Sequence, residues 1–230
     1  MSEGIEPFYD KEVTCLLCEH KYITKRLRSR FVRVKRIESD FYTEYKDENY
    51  IPYFYEISVC PQCGFSCADT FSTTLLPHIE ENIVKKLSSQ WQPRNYGGLR
   101  TVNDAIETHK LALLSGSLKE EKHIVLAGIC LRLSWLYRMK KVADQDLRFL
   151  RLSLKYYEGA YQDSDFIGTQ MTEMKLLYLI GELHRKVGNQ SEAVVYFSRV
   201  INHKNRSIEK KVVEMAREQW QLMREEKTKV

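Results

Sequence analysis

The spacing of hydrophobic residues divides the chain near residue 76. In the first part, one alternating run ends at a cysteine and comprises Tyr53, Tyr55, Ile57 and Val59. A period of two is typical of a half-buried strand, and a more charged run of this kind covers residues 31–34. Residues 38–49 are polar and predict a loop between the two runs. We therefore expect a small antiparallel sheet within residues 1–76.

After residue 76, hydrophobic residues recur every three or four positions, as on one face of an amphipathic helix. Pro77 suits the first turn of a helix, and Thr101 or Asn103 can cap the next one. The pattern predicts about seven helices, near residues 77–91, 101–118, 121–140, 144–162, 170–187, 191–203 and 207–226. The expected fold class is α+β and mostly α, with a zinc-ribbon-like β module at 1–76 and a helical domain at 77–230.

The clearest internal repeat lies within residues 177–200. Gly181, Gly188, Ala193 and Phe197 occupy the offsets of the small and large residues of a tetratricopeptide repeat (TPR). Small side chains at 181 and 193 let two antiparallel helices approach closely, and Phe197 fills the space between them. The same offsets recur upstream only at longer, irregular intervals. The helical domain is therefore predicted to be a TPR-like but irregular array.

Two cysteine pairs with CxxC spacing, Cys15/Cys18 and Cys60/Cys63, are the strongest chemical signal in the chain. Two residues between cysteines allow one tight turn to aim both sulfurs at a common point, and two such turns complete a tetrahedral zinc site. Gly64 follows the second pair and can adopt the positive φ that such a turn needs. Because a small β module buries little apolar area, we expect one structural zinc ion to stabilise it.

Neighbouring side chains leave alternatives to this ligand set open. Cys67 and His20 are each close enough in sequence to replace a ligand, although a buried thiol and a surface imidazole are simpler interpretations. Glu19 follows the first pair where glycine follows the second, so the first turn matches the pattern less well. A thioredoxin-like dithiol is another interpretation of CxxC, but such a protein needs only one pair.

A second candidate site follows from the repeat alignment, which places basic and aromatic residues on the inner faces of neighbouring helices. Its members are Trp135, Arg138, Lys175, Tyr178, Arg185 and Lys186. Aromatic anchors flanked by cations are typical of protein-binding surfaces, so we predict a groove that binds an acidic peptide or a protein terminus. In the alternative interpretation, Trp135 and Tyr178 belong to the core between stacked helices.

A third candidate is a run of basic residues within residues 21–36 that contains no acidic residue. The cations proposed to contact nucleic acid are Arg26, Arg28, Arg30, Arg33, Lys35 and Arg36. Basic strands that carry aromatic side chains can bind phosphates with the cations and stack bases on the rings. The alternative is a solvated strand whose charge is balanced by the acidic residues of 38–48.

Composition and motifs narrow the functional classes. The chain has 36 basic and 31 acidic residues, and its net charge of +5 permits an anionic partner without requiring one. No HExxH, P-loop, GxGxxG or GxSxG pattern occurs, so we expect neither an enzyme nor a small-molecule substrate. The polar, acidic N-terminus is unlike a signal peptide, and no apolar stretch is long enough to span a bilayer. The expected location is the cytoplasm, away from the membrane.

Several motifs in combination resemble the bacterial Domain of Unknown Function 2225 family, over nearly the whole chain. They are Phe8-Tyr9-Asp10-Lys11 with the first cysteine pair, Arg33-Val34 to Asp40-Phe41, Val59-Cys60-Pro61-x-Cys63-Gly64-Phe65, Trp91-x-Pro93-Arg94-Asn95-Tyr96 and the 177–200 repeat. The resemblance implies a cytoplasmic bacterial protein with a zinc-ribbon-like part and a TPR-like helical part, and it implies no particular activity. Leu17 and Glu19 depart from the CPxCG form to which the family tends.

These patterns support three functional hypotheses. The first is a non-enzymatic, zinc-stabilised adaptor or scaffold that binds another protein through the TPR-like groove. The second is a nucleic-acid-associated factor that uses the basic strand Lys21 to Arg36. The third is a thiol redox protein that uses a CxxC pair, and the presence of two pairs argues against it.

Overall fold

The computed structural model describes residues 5–228, with side chains up to Glu226. Met1–Gly4, on which part of the argument against a signal peptide rests, lie outside the described residues. Six strands form in the described part: β1 (Phe8–Thr14), β2 (Lys21–Leu27), β3 (Val34–Ile37), β4 (Thr43–Tyr45), β5 (Ile57–Val59) and β6 (Ser66–Ala68). They pair as separate antiparallel hairpins, β1 with β2, β3 with β4 and β5 with β6.

The strands differ from the expected sheet in their extent and pairing. Residues Pro52–Tyr55 form a 3-10 turn, so the strand predicted over 53–59 is confined to Ile57–Val59. The alternation was misleading because the consecutive aromatic residues at 53–55 are all buried, which is not the pattern of a half-buried strand. Residues 38–49 are also more than a loop, since they contain β4.

Seven helices follow within residues 5–228, in the order and near the positions that the sequence predicts. They are α1 (Pro77–Lys86), α2 (Val102–Leu118), α3 (His123–Met139), α4 (Ala143–Gln162), α5 (Glu173–Lys186), α6 (Gln190–Ile201) and α7 (Lys210–Thr228). Thr101 caps α2, because its side chain accepts a hydrogen bond from the Asp104 N–H and Asp104 accepts one from the Thr101 N–H. None of the described helices combines the length and apolar character needed to cross a membrane.

Helices α5 and α6 pack as the repeat pattern predicts. A Cβ added to Gly181 would lie 3.0 Å from the ring of Phe197, so the glycine lets the two helices approach closely. Ala193 and Phe197 are fully buried. Gly188, in the turn between the helices, has φ of +91°, a conformation that strains other side chains. This local packing is confirmed, while the classification of the whole array as TPR-like stays a prediction.

The N-terminal hairpins and the helices share a hydrophobic core. One cluster of buried side chains includes Tyr53 and Ile57 from the first part of the chain together with Leu133 and Trp135 of α3. A separate cluster surrounds the cysteine pairs, and its other members are Leu17, Tyr22, Phe65, Ile79, Ile83 and Leu87. Helix α1 supplies two of these side chains and packs against the cysteines.

A buried arginine reinforces the junction between the hairpins and the helices. Arg100, which precedes α2, donates hydrogen bonds to the carbonyls of Phe54, Ile57 and Tyr96 at 3.0, 2.7 and 2.9 Å. Burial lowers the pKa of Arg100 to about 10, which still leaves the side chain charged at neutral pH. Its guanidinium group therefore provides hydrogen bonds for carbonyls that are shielded from water around the 3-10 turn.

Candidate metal centre and helical groove

The cysteines of the two CxxC pairs converge on one point. The Sγ atoms of Cys15, Cys18, Cys60 and Cys63 lie within 4.8 Å of one another, and none forms a disulfide. Cys15 Sγ is 3.6 Å from Cys63 Sγ, and Cys18 Sγ is 3.6 Å from Cys60 Sγ. Sulfurs bound at ~2.3 Å to a tetrahedral ion are ~3.8 Å apart. The arrangement therefore fits a single metal ion.

Both pairs form the same backbone turn. The Glu19 N–H donates to the Cys15 carbonyl at 3.0 Å, and the Gly64 N–H donates to the Cys60 carbonyl at 2.9 Å. The residue after each pair has a positive φ, +58° at Glu19 and +75° at Gly64. The first turn therefore forms without a glycine, at a cost of about 1 kcal/mol in backbone strain.

Trp91 covers the second turn. Its Nε1–H donates to the Pro61 carbonyl at 2.9 Å, and a Cβ added to Gly64 would lie 2.5 Å from its ring. Glycine is therefore required at position 64 both by the backbone conformation and by the neighbouring ring. In the same Trp-x-Pro-Arg-Asn-Tyr motif, the Tyr96 hydroxyl donates to Glu107 of α2 at 2.8 Å. The motif thus links the metal centre to the helices.

The cysteine cluster is largely shielded from solvent and is sensitive to protonation. Cys15, Cys60 and Cys63 are buried, while Cys18 is exposed. The hydrogen bond with Cys63 lowers the pKa of Cys15 to about 5, whereas burial raises the pKa of Cys60 to about 11. Because metals bind thiolates, a metal ion that bound at this cluster would release protons from the cysteines.

The two alternative ligands do not belong to this group. Cys67 lies on β6 opposite Ser58, and His20 is exposed with its ring parallel to that of Tyr22. In the described part of the chain, the group of ligand atoms consists of the four CxxC sulfurs. His20 contributes through its backbone, since its carbonyl accepts a hydrogen bond from the Cys15 N–H at 2.9 Å.

The predicted helical groove contains a segment of the same chain. Residues 38–42, here called the hairpin tip, connect β3 to β4 and lie against α3 and α5. Within the tip, the Phe41 N–H donates to the Glu38 carbonyl at 2.9 Å, and Phe41 has φ of +65°. This tight turn carries Asp40 into a fully buried position.

Asp40 is the centre of the charged contacts in the groove. Its carboxylate accepts a hydrogen bond from Arg138 Nη2 at 2.9 Å and lies 3.4 Å from Lys186 Nζ. Burial alone would raise the pKa of Asp40, but the Arg138 hydrogen bond and the Lys186 charge lower it below its usual value. Arg138 also contacts Glu38 at 2.9 Å and Asp146 of α4 at 3.0 Å. The arginine therefore joins the tip, α3 and α4.

Helix α5 binds Ser39 through both its backbone and its side chain. The Tyr178 hydroxyl donates to the Ser39 carbonyl at 2.8 Å, and Ser39 Oγ donates to Glu182 Oε1 at 2.6 Å. Glu182 is fully buried, and Arg185 donates to both of its oxygens at 2.8 and 2.7 Å. These buried polar groups are therefore hydrogen-bonded to the tip or to one another.

Aromatic rings complete the contact. The Phe41 ring meets the Tyr178 ring edge-on with centroids 5.7 Å apart, and the Tyr42 ring lies 6.1 Å from that of Trp135. Trp135 and Tyr178 are 2% and 0% exposed. Both are core side chains in this arrangement, as in the alternative interpretation of the sequence.

The structure brings together most of the residues that we predicted to line the groove. Those that meet the tip, directly or through Glu182, are Trp135, Arg138, Tyr178, Arg185 and Lys186. Lys175 is different: it is exposed, and its backbone N–H donates to Thr172 at the start of α5. The hydrophobic and charge patterns of the sequence do not indicate that a segment of the chain itself occupies the groove.

The basic run divides into paired and unpaired cations. Arg26 is buried and donates to Asp69 at 3.2 Å, and Lys35 and Arg36 contact Glu44 at 3.1 and 2.9 Å. Within residues 5–228, no carboxylate forms an ion pair with the remaining members, which are Arg28, Arg30 and Arg33. The acidic residues that follow the strand therefore neutralise only part of the run.

Sequence spacing does not reveal the tip contact, because Asp40 and Arg138 are 98 positions apart. The only sequence signal for the tip is that Asp40-Phe41 belongs to the motifs on which the family resemblance rests. For Trp91, too, the only sequence signal is that it belongs to one of these motifs. Hydrophobic periodicity does not reveal its contact with Gly64. Both features were missing from the sequence-derived site.

The profile of one protein family matches residues 8–223, and the family is described as an uncharacterised protein conserved in bacteria, DUF2225. The match runs from the start of β1 into α7 and includes the cysteine cluster and the hairpin tip. No curated protein and no solved structure matches the chain. Since the profile covers nearly the whole sequence, the resemblance seen in the motifs is confirmed, and the chain belongs to the bacterial family Domain of Unknown Function 2225.

Proposed function

We propose that this protein is a non-enzymatic adaptor, in which a zinc ion stabilises the N-terminal hairpins and the helical groove binds a segment of another protein. The observation that carries the proposal is the binding of the hairpin tip in the groove. An acidic residue, a serine and two aromatic rings dock against the cations and rings of α3 and α5. The groove is therefore chemically suited to an acidic segment that also carries aromatic residues.

Zinc is the metal that suits the cysteine cluster best. Tetrahedral sets of four cysteines are the usual ligands of structural zinc, and such sites have no open position for a substrate. The apolar cluster around the cysteines is small, so metal binding contributes much of the stability of this part of the chain. We assign the ion a structural role on these grounds.

A partner segment has to replace the hairpin tip, because Trp135 and Tyr178 are buried beneath it. The tip is part of the same chain, and short tethers give effective concentrations on the order of millimolar. A partner therefore binds well only if it makes additional contacts or if the tip is released. Exposed Lys175, on α5, offers one further cation for an acidic partner.

Metal analysis tests the first half of the proposal. We expect about one zinc ion per chain, and cysteine thiols of the cluster that react with a thiol reagent only after a chelator removes the metal. Metal-free protein in which one CxxC pair cycles between dithiol and disulfide would instead support the redox hypothesis.

Binding of the tip sequence as a separate peptide tests the second half. The probe is a fluorescent peptide of residues 36–44, and the receptor is the full zinc-loaded chain with Asp40→Ala and Phe41→Ala, which weaken its own tip. We expect saturable binding to this variant and at least about tenfold weaker binding to the wild type, because the intact tip competes. Glu44→Ala is the matched control, since it removes an acidic side chain from the same hairpin outside the groove.

A second peptide with lysine in place of Asp40 distinguishes specific binding from general adhesion. We expect it to bind the tip-weakened variant far less well, because Arg138 and Lys186 would then face a like charge. Equal binding of the two peptides, or no binding to a variant that circular dichroism shows to be folded, would mean that the groove is only an internal junction.

A further inference from the structure

The adaptor proposal makes no use of the unpaired cations of the basic run. Two of them border a shallow cleft of about 520 Å³, here called the arginine cleft. Its lining residues are Ile5, Tyr9, Leu27, Arg28, Ser29 and Arg30. The cleft lies where β2 ends and the 3-10 turn Ser29–Phe31 begins.

Both guanidinium groups of the cleft lie over aromatic rings. The Arg28 guanidinium lies 4.9 Å from the centroid of Tyr9, and that of Arg30 lies 4.8 Å from the centroid of Phe31. Arg30 also donates to the Ile5 carbonyl at 3.1 Å. Arg28 and Arg30 are exposed residues, so their planar groups remain accessible to a ligand from solvent. A flat, open guanidinium is a surface on which an unpaired base can stack.

Within residues 5–228, no carboxylate forms an ion pair with the cations of the cleft. Asp10, the nearest acidic residue on β1, pairs with Lys25 at 2.8 Å, and Glu6 forms no ion pair with any described residue. Arg33, which follows the 3-10 turn, is also exposed and has no carboxylate partner in the described part of the chain. Three cations without a carboxylate partner among the described residues therefore occur within six positions of the chain, from Arg28 to Arg33.

We propose that the arginine cleft binds single-stranded nucleic acid. Arg28, Arg30 and Arg33 contact backbone phosphates, and a base stacks on the open face of Arg28 or Arg30. A single strand fits better than a duplex, because only unpaired bases present a free face. It also fits better than an acidic protein segment, which would use the charge but not the flat faces. This function is independent of the helical groove.

The dependence of binding on salt tests the site. The probes are labelled oligothymidylate and oligouridylate of about 20 nucleotides, and the protein is the full zinc-loaded chain. If the three arginines contact phosphates, the plot of the logarithm of the association constant against the logarithm of salt concentration should have a slope of about −2. Affinity should then fall roughly 15-fold between 50 and 200 mM salt. The variant R28A/R30A keeps one contact, so we expect weaker binding and a loss of only roughly threefold over this range.

Two further variants separate the contributions. K35A/R36A removes the same number of cations from β3, but Glu44 pairs with both of these and Glu38 also pairs with Arg36, so we expect the wild-type slope. R28K/R30K keeps the charges and loses the planar groups, so we expect the slope to persist while affinity falls severalfold. Thermal unfolding checks that each variant is folded, and none is expected to be destabilised because these side chains are exposed.

Several results would overturn the proposal. They are the absence of salt-dependent binding of the wild type to either oligonucleotide, and equal changes in slope for R28A/R30A and K35A/R36A. Equally tight binding of a duplex of the same length would exclude base stacking, and tighter binding of a polyglutamate peptide would indicate an acidic protein partner instead. Binding of the tip peptide to the groove does not depend on these arginines, so failure here and failure of the adaptor proposal are distinguishable.

Discussion

The cysteine cluster and the hairpin tip both join distant parts of the chain, but with different chemistry. The cluster joins cysteines 42 and 48 positions apart, and each partner is of the same residue type. The tip joins Asp40 to Arg138 across 98 positions, with side chains that are common on any protein surface. The comparison shows that a long-range contact is recognisable in a sequence when its chemistry is rare and is hidden when its chemistry is common.

The two regions also distribute their stabilising energy differently. A metal site depends on all of its ligands, and loss of one weakens the whole centre. The tip is held by several ion pairs, hydrogen bonds and ring contacts, with Arg138 and Tyr178 each making more than one of them. Substitutions should therefore have an abrupt effect at the cluster and a graded one at the tip.

The largest effect is expected from the removal of a metal ligand. Cys60→Ser deletes a fully buried thiolate, and the hairpins lose the ~10 kcal/mol or more that structural zinc contributes. We expect loss of zinc and of hydrogen-exchange protection in β1, β2, β5 and β6, while α5 and α6 stay protected. Cys67→Ser is the matched control. Loss of zinc from this control would contradict the four-cysteine assignment.

The next largest effect is expected at the tip. Asp40→Ala removes the fully buried counter-charge of Arg138 and Lys186 and leaves them only the partly exposed Glu38 and Asp146. We therefore expect the free energy of unfolding to fall by about 3 kcal/mol in urea titrations. Glu44→Ala removes a partly exposed carboxylate, which pairs with the more exposed Lys35 and Arg36, from the same hairpin and should change stability little. If the two variants were equally stable, the tip would be no more than a surface contact.

A smaller effect is expected from substitutions at the residue with positive φ in each of the two cysteine turns. Gly64→Ala should lower the stability of the zinc-loaded protein by about 2 kcal/mol, because the new Cβ would meet the Trp91 ring at 2.5 Å. Glu19→Gly at the equivalent position should raise it by up to about 1 kcal/mol, since it relieves a positive φ. Thermal unfolding measures both changes in stability. If both variants became more stable or both less stable, the two turns would not respond to a glycine in the same way.

The smallest effect is expected from pH. The pKa of Asp40 is lowered by folding, so its carboxylate stabilises the protein above the unfolded pKa of about 4, and this contribution is lost as the pH falls through the folded value. The difference in unfolding free energy between wild type and Asp40→Asn should therefore be constant above about pH 5 and decrease below it. A difference that is independent of pH would show that folding does not shift the pKa of Asp40, and a difference that grows as the pH falls would show that folding raises it.

Local sequence features predicted much of the fold and the metal centre. The helix pattern located all seven described helices, with Thr101 marking the start of α2. The CxxC pairs identified the sulfurs that meet within 4.8 Å. Prediction was poorest in the hairpins, where short strands such as β5 and the 3-10 turn at Pro52 depend on contacts with α2 and α3 as well as on local preference.

The sequence by itself determined the cysteine cluster and the order of the helices, because metal-ligand spacing and helical periodicity are written within a few adjacent residues. Only the tertiary structure decided what fills the groove and which cations stay unpaired. Arg138 and Arg28 look alike as basic residues in the sequence, yet one is bound by Asp40 and the other lies open on Tyr9. The physical reason is that an ion pair depends on which carboxylate the fold brings within a few ångströms, and neither periodicity nor spacing contains that distance.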